Sequence, residues 1–146
     1  MDKCLYVVNV EAAIFKGDKW LLGQRSAKED HDPGLFSMIG GKVENVEAEN
    51  HILEKTLKRE VLEEVGVEVQ NNIHYVKSSS FIADFGRHVV DIVFLCEYKA
   101  GQATVLEQDE LDSVEWMTID ELLAHEKIGP YTKESLKIAE QMRLNR

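Results

Sequence analysis

Residues 59–66 read REVLEEVG, placing three glutamates within a few positions of one another in a chain whose formal net charge at pH 7 is already −10. On a helix with about 100° per residue, Glu60, Glu63 and Glu64 share one stripe, because residues three and four apart are neighbours. Like charges so placed cost about a few tenths of a kcal/mol per pair when exposed, and more when partly buried. Two readings account for them: a solvated acidic face, or a set of oxygen ligands gathered for a cation. Upstream, Ile52, Leu53, Thr56, Leu57, Val61 and Val65 recur at three- and four-residue intervals. This spacing predicts a helix with Val61 and Val65 in the core, Asn50 as its N-cap and Gly66 closing its C-terminus.

The rest of the chain frames that helix. Its 146 residues are enough for one domain with a real core, and 44% apolar with 30% charged residues is a globular composition. No linker or internal repeat divides it, so residues 1–146 read as a single domain. The first fifteen residues contain an apolar run broken by Asn9 and Glu11, which fits neither a secretory signal nor a membrane span, and the cytoplasm is the expected compartment. Cys4 and Cys96 lack the paired spacing of a zinc or redox site and read as buried free thiols. An acidic chain has no general attraction for a nucleic-acid backbone or an anionic membrane.

Residues 4–15 and 19–25 read as a β-hairpin around the Gly17-Asp18 turn, and 26–49 as a long functional loop region. Strands are expected near 73–82, 88–98 and 113–117. Thr118 and Glu121 have capping-box spacing, and Thr132 is an expected cap for the C-terminal helix. This order predicts an α/β fold, a mixed sheet with helices on both faces.

Residues 40–67, GGKVENVEAENHILEKTLKREVLEEVGV, resemble the signature of the Nudix hydrolases, G-x5-E-x7-R-E-U-x-E-E-x-G-U with U aliphatic. Gly41 and Glu47 match its start, and Arg59, Glu60, Val61, Glu63, Glu64, Gly66 and Val67 its end. Eleven residues separate Glu47 from Arg59 where the pattern has seven, a four-residue insertion that the lack of an apolar stripe in ENVEAEN assigns to the loop before the helix. The role of Glu47, which in the family helps orient the arginine, then passes to His51 or Glu54. WLLGQRS, PGLF and DELDSVEWMTIDELL look like further family features in family order.

The resemblance implies an α/β/α sandwich with a mixed β-sheet, Mg²⁺ or Mn²⁺ as cofactor, and hydrolysis of a nucleoside diphosphate linked to another group. The Gly41 carbonyl, Glu60, Glu63 and Glu64 would hold the metal. Hard cations suit oxygen ligands, neutralise phosphate charge and acidify a bound water. Arg59 would orient a carboxylate bidentately. Glu64 is one choice of general base, with Glu107 or Glu110 as a second. Arg25, Gly40, Phe36 and Phe85 are the expected substrate contacts. Arg25 reads equally as a surface ion pair, and Phe36 and Phe81 equally as core. The stretch beyond the box, SSSFIADFGRH, lacks the proline of ADP-ribose hydrolases and the tyrosine of dinucleoside polyphosphate hydrolases. That favours a MutT-like nucleoside triphosphate pyrophosphohydrolase, including one acting on oxidised nucleotides, over an ADP-ribose or nucleotide-sugar hydrolase or a non-catalytic nucleotide sensor. The expected partner is a small nucleotide. Many relatives form homodimers, but no exposed stripe argues for one here.

Overall fold

The computed structural model describes residues 3–44 and 47–146. Asn45 and Val46, part of the inserted stretch of the box, lie outside the described residues. The elements run β1 (Tyr6–Lys16), β2 (Lys19–Arg25), β3 (Phe36–Ser37), β4 (Ile39–Lys42), α1 (Ile52–Val65), β5 (Glu68–Val69), β6 (His74–Ile82), β7 (His88–Ala100), β8 (Leu111–Thr118), α2 (Ile119–Leu123) and α3 (Pro130–Leu144).

Alternation along β1 divides the core into two layers. Val10, Ala12 and Ile14 pack with Leu57, Val61 and Val65 of α1. Ala13 and Phe15 pack on the other face with Leu136 and Ala139 of α3. Each fully buried valine, leucine or isoleucine among them contributes about 1.5–3 kcal/mol. The sheet between the layers is mixed: β1 runs parallel to β7, from Tyr6↔His88 to Phe15↔Glu97, and antiparallel to β4. The predicted α/β/α sandwich is therefore the observed architecture.

Several local expectations change. β1 and β2 pair only at Phe15↔Trp20 and Lys16↔Lys19, after which the hairpin opens and β2 ladders with β8 instead. The opening leaves room for β4, which lies within the expected loop and takes the edge of β1 at Asn9–Ala12. Helix α1 begins one residue later than expected, with His51 rather than Asn50 as N-cap, in a left-handed conformation (φ 58°) and without a side-chain cap bond. His51 occupies the place, seven residues of spacing before Arg59, that the family pattern gives its glutamate. The register from His51 to Val67 is thus that of an uninterrupted box, and Glu47 lies in the loop ahead of the helix.

At the other end the Gly66 N–H donates to the Leu62 carbonyl at 3.0 Å with φ 72°, the expected closure. Thr118 and Glu121 form the reciprocal capping box of α2, with bonds of 3.1 and 3.2 Å. Helix α3 is not capped by Thr132. Gly129 is its N-cap and Pro130 its first residue, where a missing N–H costs nothing. Cys96 is buried, which pushes its thiol up to about 12, whereas Cys4 is exposed, contrary to expectation.

Candidate metal and active site

Helix α1 lies across β4, and the sequence at their contact follows from space. A Cβ at residue 41 would lie 2.5 Å from Cδ of Glu60, so only glycine leaves this carboxylate where it is. Neither Gly40 nor Gly41 has positive φ among the described backbone outliers, so close approach and not backbone freedom selects them. At Gly40 a Cβ would meet the Val10 carbonyl oxygen at 2.0 Å, which accounts for that glycine by the packing of β4 on β1.

The three glutamates occupy different depths. Glu64 is buried, Glu60 partly so, and Glu63 exposed. Backbone bonds from Thr104 N–H to Val65 O (3.1 Å) and from Leu106 N–H to Glu64 O (2.9 Å) dock the 101–110 loop on the end of α1. That docking sets Glu110 against Glu64 and Glu107 nearby. Burial, followed by the hydrogen bond and charge of Glu110 and the charges of Glu60 and Glu107, pushes the Glu64 carboxyl up to about 10. Burial also raises Glu60, opposed by Arg59 and assisted by Glu63, Glu110 and Glu44. Arg59 reaches Glu60 through one contact, Nη2 to Oε1 at 3.3 Å, in place of the expected bidentate grip.

Glu64 Oε2 is buried and has no hydrogen-bond partner among the described residues. An orphaned carboxylate oxygen of this kind is costly unless something binds it. Together with the glycine that makes room for Glu60 and an all-oxygen donor set, it fits a hard divalent cation. No three His, Cys, Asp or Glu side chains among the described residues are already gathered at cation-binding distance.

The remaining expected contacts divide. Arg25 Nε donates to the His31 carbonyl at 2.7 Å and Nη2 lies 3.5 Å from Glu29, so this side chain clamps the 26–35 loop. Phe36 is a core residue: it is buried with Ile128 and meets His125 edge-on at 5.1 Å, so no base can stack on it. Phe85 stands fully exposed at the tip joining β6 to β7, with φ 67°, beyond the last rung Ile82↔His88.

Sequence reasoning missed a second polar group. Asp91, 2% exposed, accepts from Asn9 Nδ2 at 2.7 Å and from the Tyr131 hydroxyl at 2.5 Å. Glu11 lies near the same carboxylate, and burial followed by Asp91 raises its carboxyl well above the usual range. The available signal was a carboxylate in the middle of an otherwise apolar strand, at Glu11 and again in VVDIV.

Comparison with known proteins shows which chains this one resembles. The NAD-capped RNA hydrolase NudC of Pseudomonas aeruginosa is 35% identical over 109 residues, which are 75% of this chain and 35% of that protein. The chain thus spans about a third of the length of that relative. A MutT NUDIX hydrolase from Burkholderia pseudomallei superposes with a TM-score of 0.76 at 26% identity, covering 91% of this chain and 97% of the other. The E. coli ORF135 protein superposes with a TM-score of 0.72 at 27% identity, covering 98% and 94%. No helix among the described residues is long and apolar enough to cross a membrane. The NUDIX domain model matches residues 5–138, and the chain belongs to this family of hydrolases.

Proposed function

We propose that this chain hydrolyses the diphosphate linkage of nucleoside diphosphate derivatives with Mg²⁺ or Mn²⁺, and that nucleoside triphosphates are cleaved, in the MutT manner, to nucleoside monophosphate and pyrophosphate. The observation that carries the reading is the buried, unpartnered Glu64 Oε2 beside the Glu60 carboxylate for which Gly41 makes room. Likeness over nearly the whole length of a MutT hydrolase supports the triphosphate class. Identity to a NAD-capped RNA hydrolase supports a second reading, a dinucleotide of the NAD type. A net charge of −10 disfavours tracking along a polynucleotide backbone, so the small nucleotide is the substrate expected here.

In this reading the Gly41 carbonyl, Glu60, Glu63 and Glu64 hold the cation. When bound, it neutralises phosphate charge and lowers the pKa of a water ligand. Arg59 orients the Glu60 carboxylate. Glu110, which neighbours Glu64, would accept the proton of the attacking water, with Glu64 and Glu107 as the other choices. Gly40 lets β4 pack against the Val10 carbonyl of β1.

The test is phosphate and pyrophosphate release from nucleoside triphosphates (8-oxo-dGTP included), NAD, ADP-ribose, nucleotide sugars and dinucleoside polyphosphates, with Mg²⁺, Mn²⁺ or EDTA. Metal-dependent turnover that Glu64→Gln abolishes is expected. Preference for NAD over every triphosphate would move the assignment to the second reading, and no turnover of any member would defeat both.

A further inference from the structure

Helix α1 ends against the stretch of chain that leads to Glu107 and Glu110. The short ladder of β5 with β7 ends at Glu68↔Ala100, and just beyond it the two strands cross at Gly66 and Gly101. A Cβ on Gly101 would lie 2.2 Å from the Gly66 carbonyl oxygen and 3.3 Å from Val67 Cα, and its φ of 98° is one that an L side chain rarely adopts. Space and conformation both require glycine there.

The last four carbonyls of an α-helix have no partner inside it. The Thr104 N–H takes that of Val65 at 3.1 Å and the Leu106 N–H that of Glu64 at 2.9 Å, so the chain leaving Gly101 caps α1 at a residue proposed to hold the cation. Ala103 and Val105, which alternate with the two donors, pack against the core layer that contains α1. Glu107 follows Leu106 directly. Its carbonyl accepts from the N–H groups of Glu110 and Leu111, both at 3.0 Å, which folds 107–110 into one turn. The far end of that turn is tied beside β2, where the Ser26 N–H donates to the Glu110 carbonyl at 2.9 Å. The near end is held through the two capping bonds.

Tyr98 fixes the start of the crossing. Its hydroxyl donates to the Gly101 carbonyl at 2.5 Å, and its ring meets Trp116 edge-on at 5.9 Å while Lys16 Nζ lies 4.4 Å from its centre. A tyrosine braced in this way sets the orientation of the Gly101 peptide, and with it the direction in which the chain enters 102–106.

We propose that Tyr98 and Gly101 are positioning residues for hydrolysis: the tyrosine hydroxyl and the glycine crossing hold 102–106 on the end of α1 and thereby set the Glu107–Glu110 turn beside Glu64. This rests on the hydrolase reading above and adds to it two residues outside the box on which the placement of the second carboxylate pair depends.

The experiment measures amide hydrogen exchange at Thr104 and Leu106 by NMR in EDTA, and kcat, KM and the half-activating Mg²⁺ concentration on the best-used nucleotide, for wild type, Tyr98→Phe and Gly101→Ala, with thermal melting of each protein. Both amides should exchange at least about tenfold faster in Gly101→Ala and about fivefold faster in Tyr98→Phe, which removes one hydrogen bond and keeps the ring. Well below the melting temperature, kcat should fall in the same order, by at least about tenfold and by about threefold, because a group displaced by about 1 Å loses up to about a hundredfold in rate. KM and the Mg²⁺ requirement should stay within about twofold of wild type, since the proposed metal ligands keep their places on β4 and α1. If Gly101→Ala does not fold, Tyr98→Phe carries both readouts.

Unchanged exchange at the two amides in either folded variant would overturn the proposal. So would faster exchange with unchanged kcat, or a rise in KM or in the Mg²⁺ requirement as large as the fall in kcat, which would mean that the crossing shapes the whole site. A wild type that turned over nothing would defeat the hydrolase assignment, while exchange would still decide whether Tyr98 and Gly101 hold the turn on α1.

Discussion

The Glu60 carboxylate on α1 occupies the space that any side chain at residue 41 on β4 would need, with 2.5 Å between Glu60 Cδ and the position of a Cβ there. The neighbour that must yield is the far end of a flexible side chain. Gly41→Ala should therefore displace a proposed metal ligand at little cost to the fold. Turnover should fall at least about tenfold, while the melting temperature drops by no more than about 4 °C, equivalent to about 1 kcal/mol for a chain of this size. Gly40→Ala is the contrast, because its Cβ would meet backbone, the Val10 carbonyl oxygen at 2.0 Å. It should cost about 2–4 kcal/mol, read as a much larger fall in melting temperature. If the two variants melted alike, space at β4 would not be what selects these glycines.

Glu64→Gln separates function from stability at the same site. The Glu64 carboxyl meets Glu110 and has one buried oxygen without a partner. A glutamine there can donate an N–H to Glu110 permanently, as the protonated carboxyl does, and cannot ionise among the surrounding carboxylates. In EDTA the variant should melt at or above the temperature of the wild type, and its metal-dependent turnover should be lost. A variant that unfolded more easily than wild type in EDTA would show that the Glu64 carboxyl stabilises the metal-free fold in a way that an amide cannot replace.

The same carboxyl makes metal-free stability depend on pH with a definite sign. Its folded value, about 10, lies above that of the unfolded chain, so the folded protein keeps a proton that the unfolded chain releases. The contribution is complete below the unfolded carboxylate value, near pH 4.3, and is lost as pH rises towards about 10, at no more than about 1.4 kcal/mol per pH unit for one proton. Glu60 and Glu11 are raised as well and add to the same trend. In EDTA the melting temperature should fall steadily between about pH 5 and about pH 9, less steeply in Glu64→Gln. Because a cation displaces the proton, Mg²⁺ should raise the melting temperature more at about pH 8.5 than at about pH 6. A flat profile in EDTA would mean that these carboxyls ionise in the fold as they do in water.

What could be read from the sequence was what local spacing decides. The 3–4 periodicity from Ile52 to Val65, the helix stop at Gly66 and the Thr118–Glu121 box all depend on residues within one or two turns of each other, and the fold keeps them. The misreadings concern partners distant in sequence. Phe36 reads equally as a base contact or as core until Ile128 and His125 are brought over it. The β1–β2 hairpin looks continuous until β4 claims the edge of β1. The Glu11–Asp91 pair was out of reach for the same reason, since seventy-nine residues lie between two carboxylates that the parallel register of β1 and β7 sets two positions apart, Asn9↔Asp91 against Glu11↔Val93.

Phe36 and Phe85 supply the last prediction, because one chemical type sits in opposite environments. Phe36→Ala empties a site in the α3-side core, where Phe36 is 5% exposed, and should destabilise by about 3–5 kcal/mol. Phe85 has no burial to lose and holds φ at 67°, a conformation that an L side chain adopts at a cost of about 1–2 kcal/mol. Phe85→Gly relieves that cost. Glycine also has more freedom to lose on folding, so the net gain should be about 0.5–1 kcal/mol, seen as a small rise in the urea midpoint at unchanged m-value. A fall in that midpoint would place Phe85 in contacts that hold the β6–β7 tip together, and would mean that its exposure in the isolated chain is not the environment in which it works.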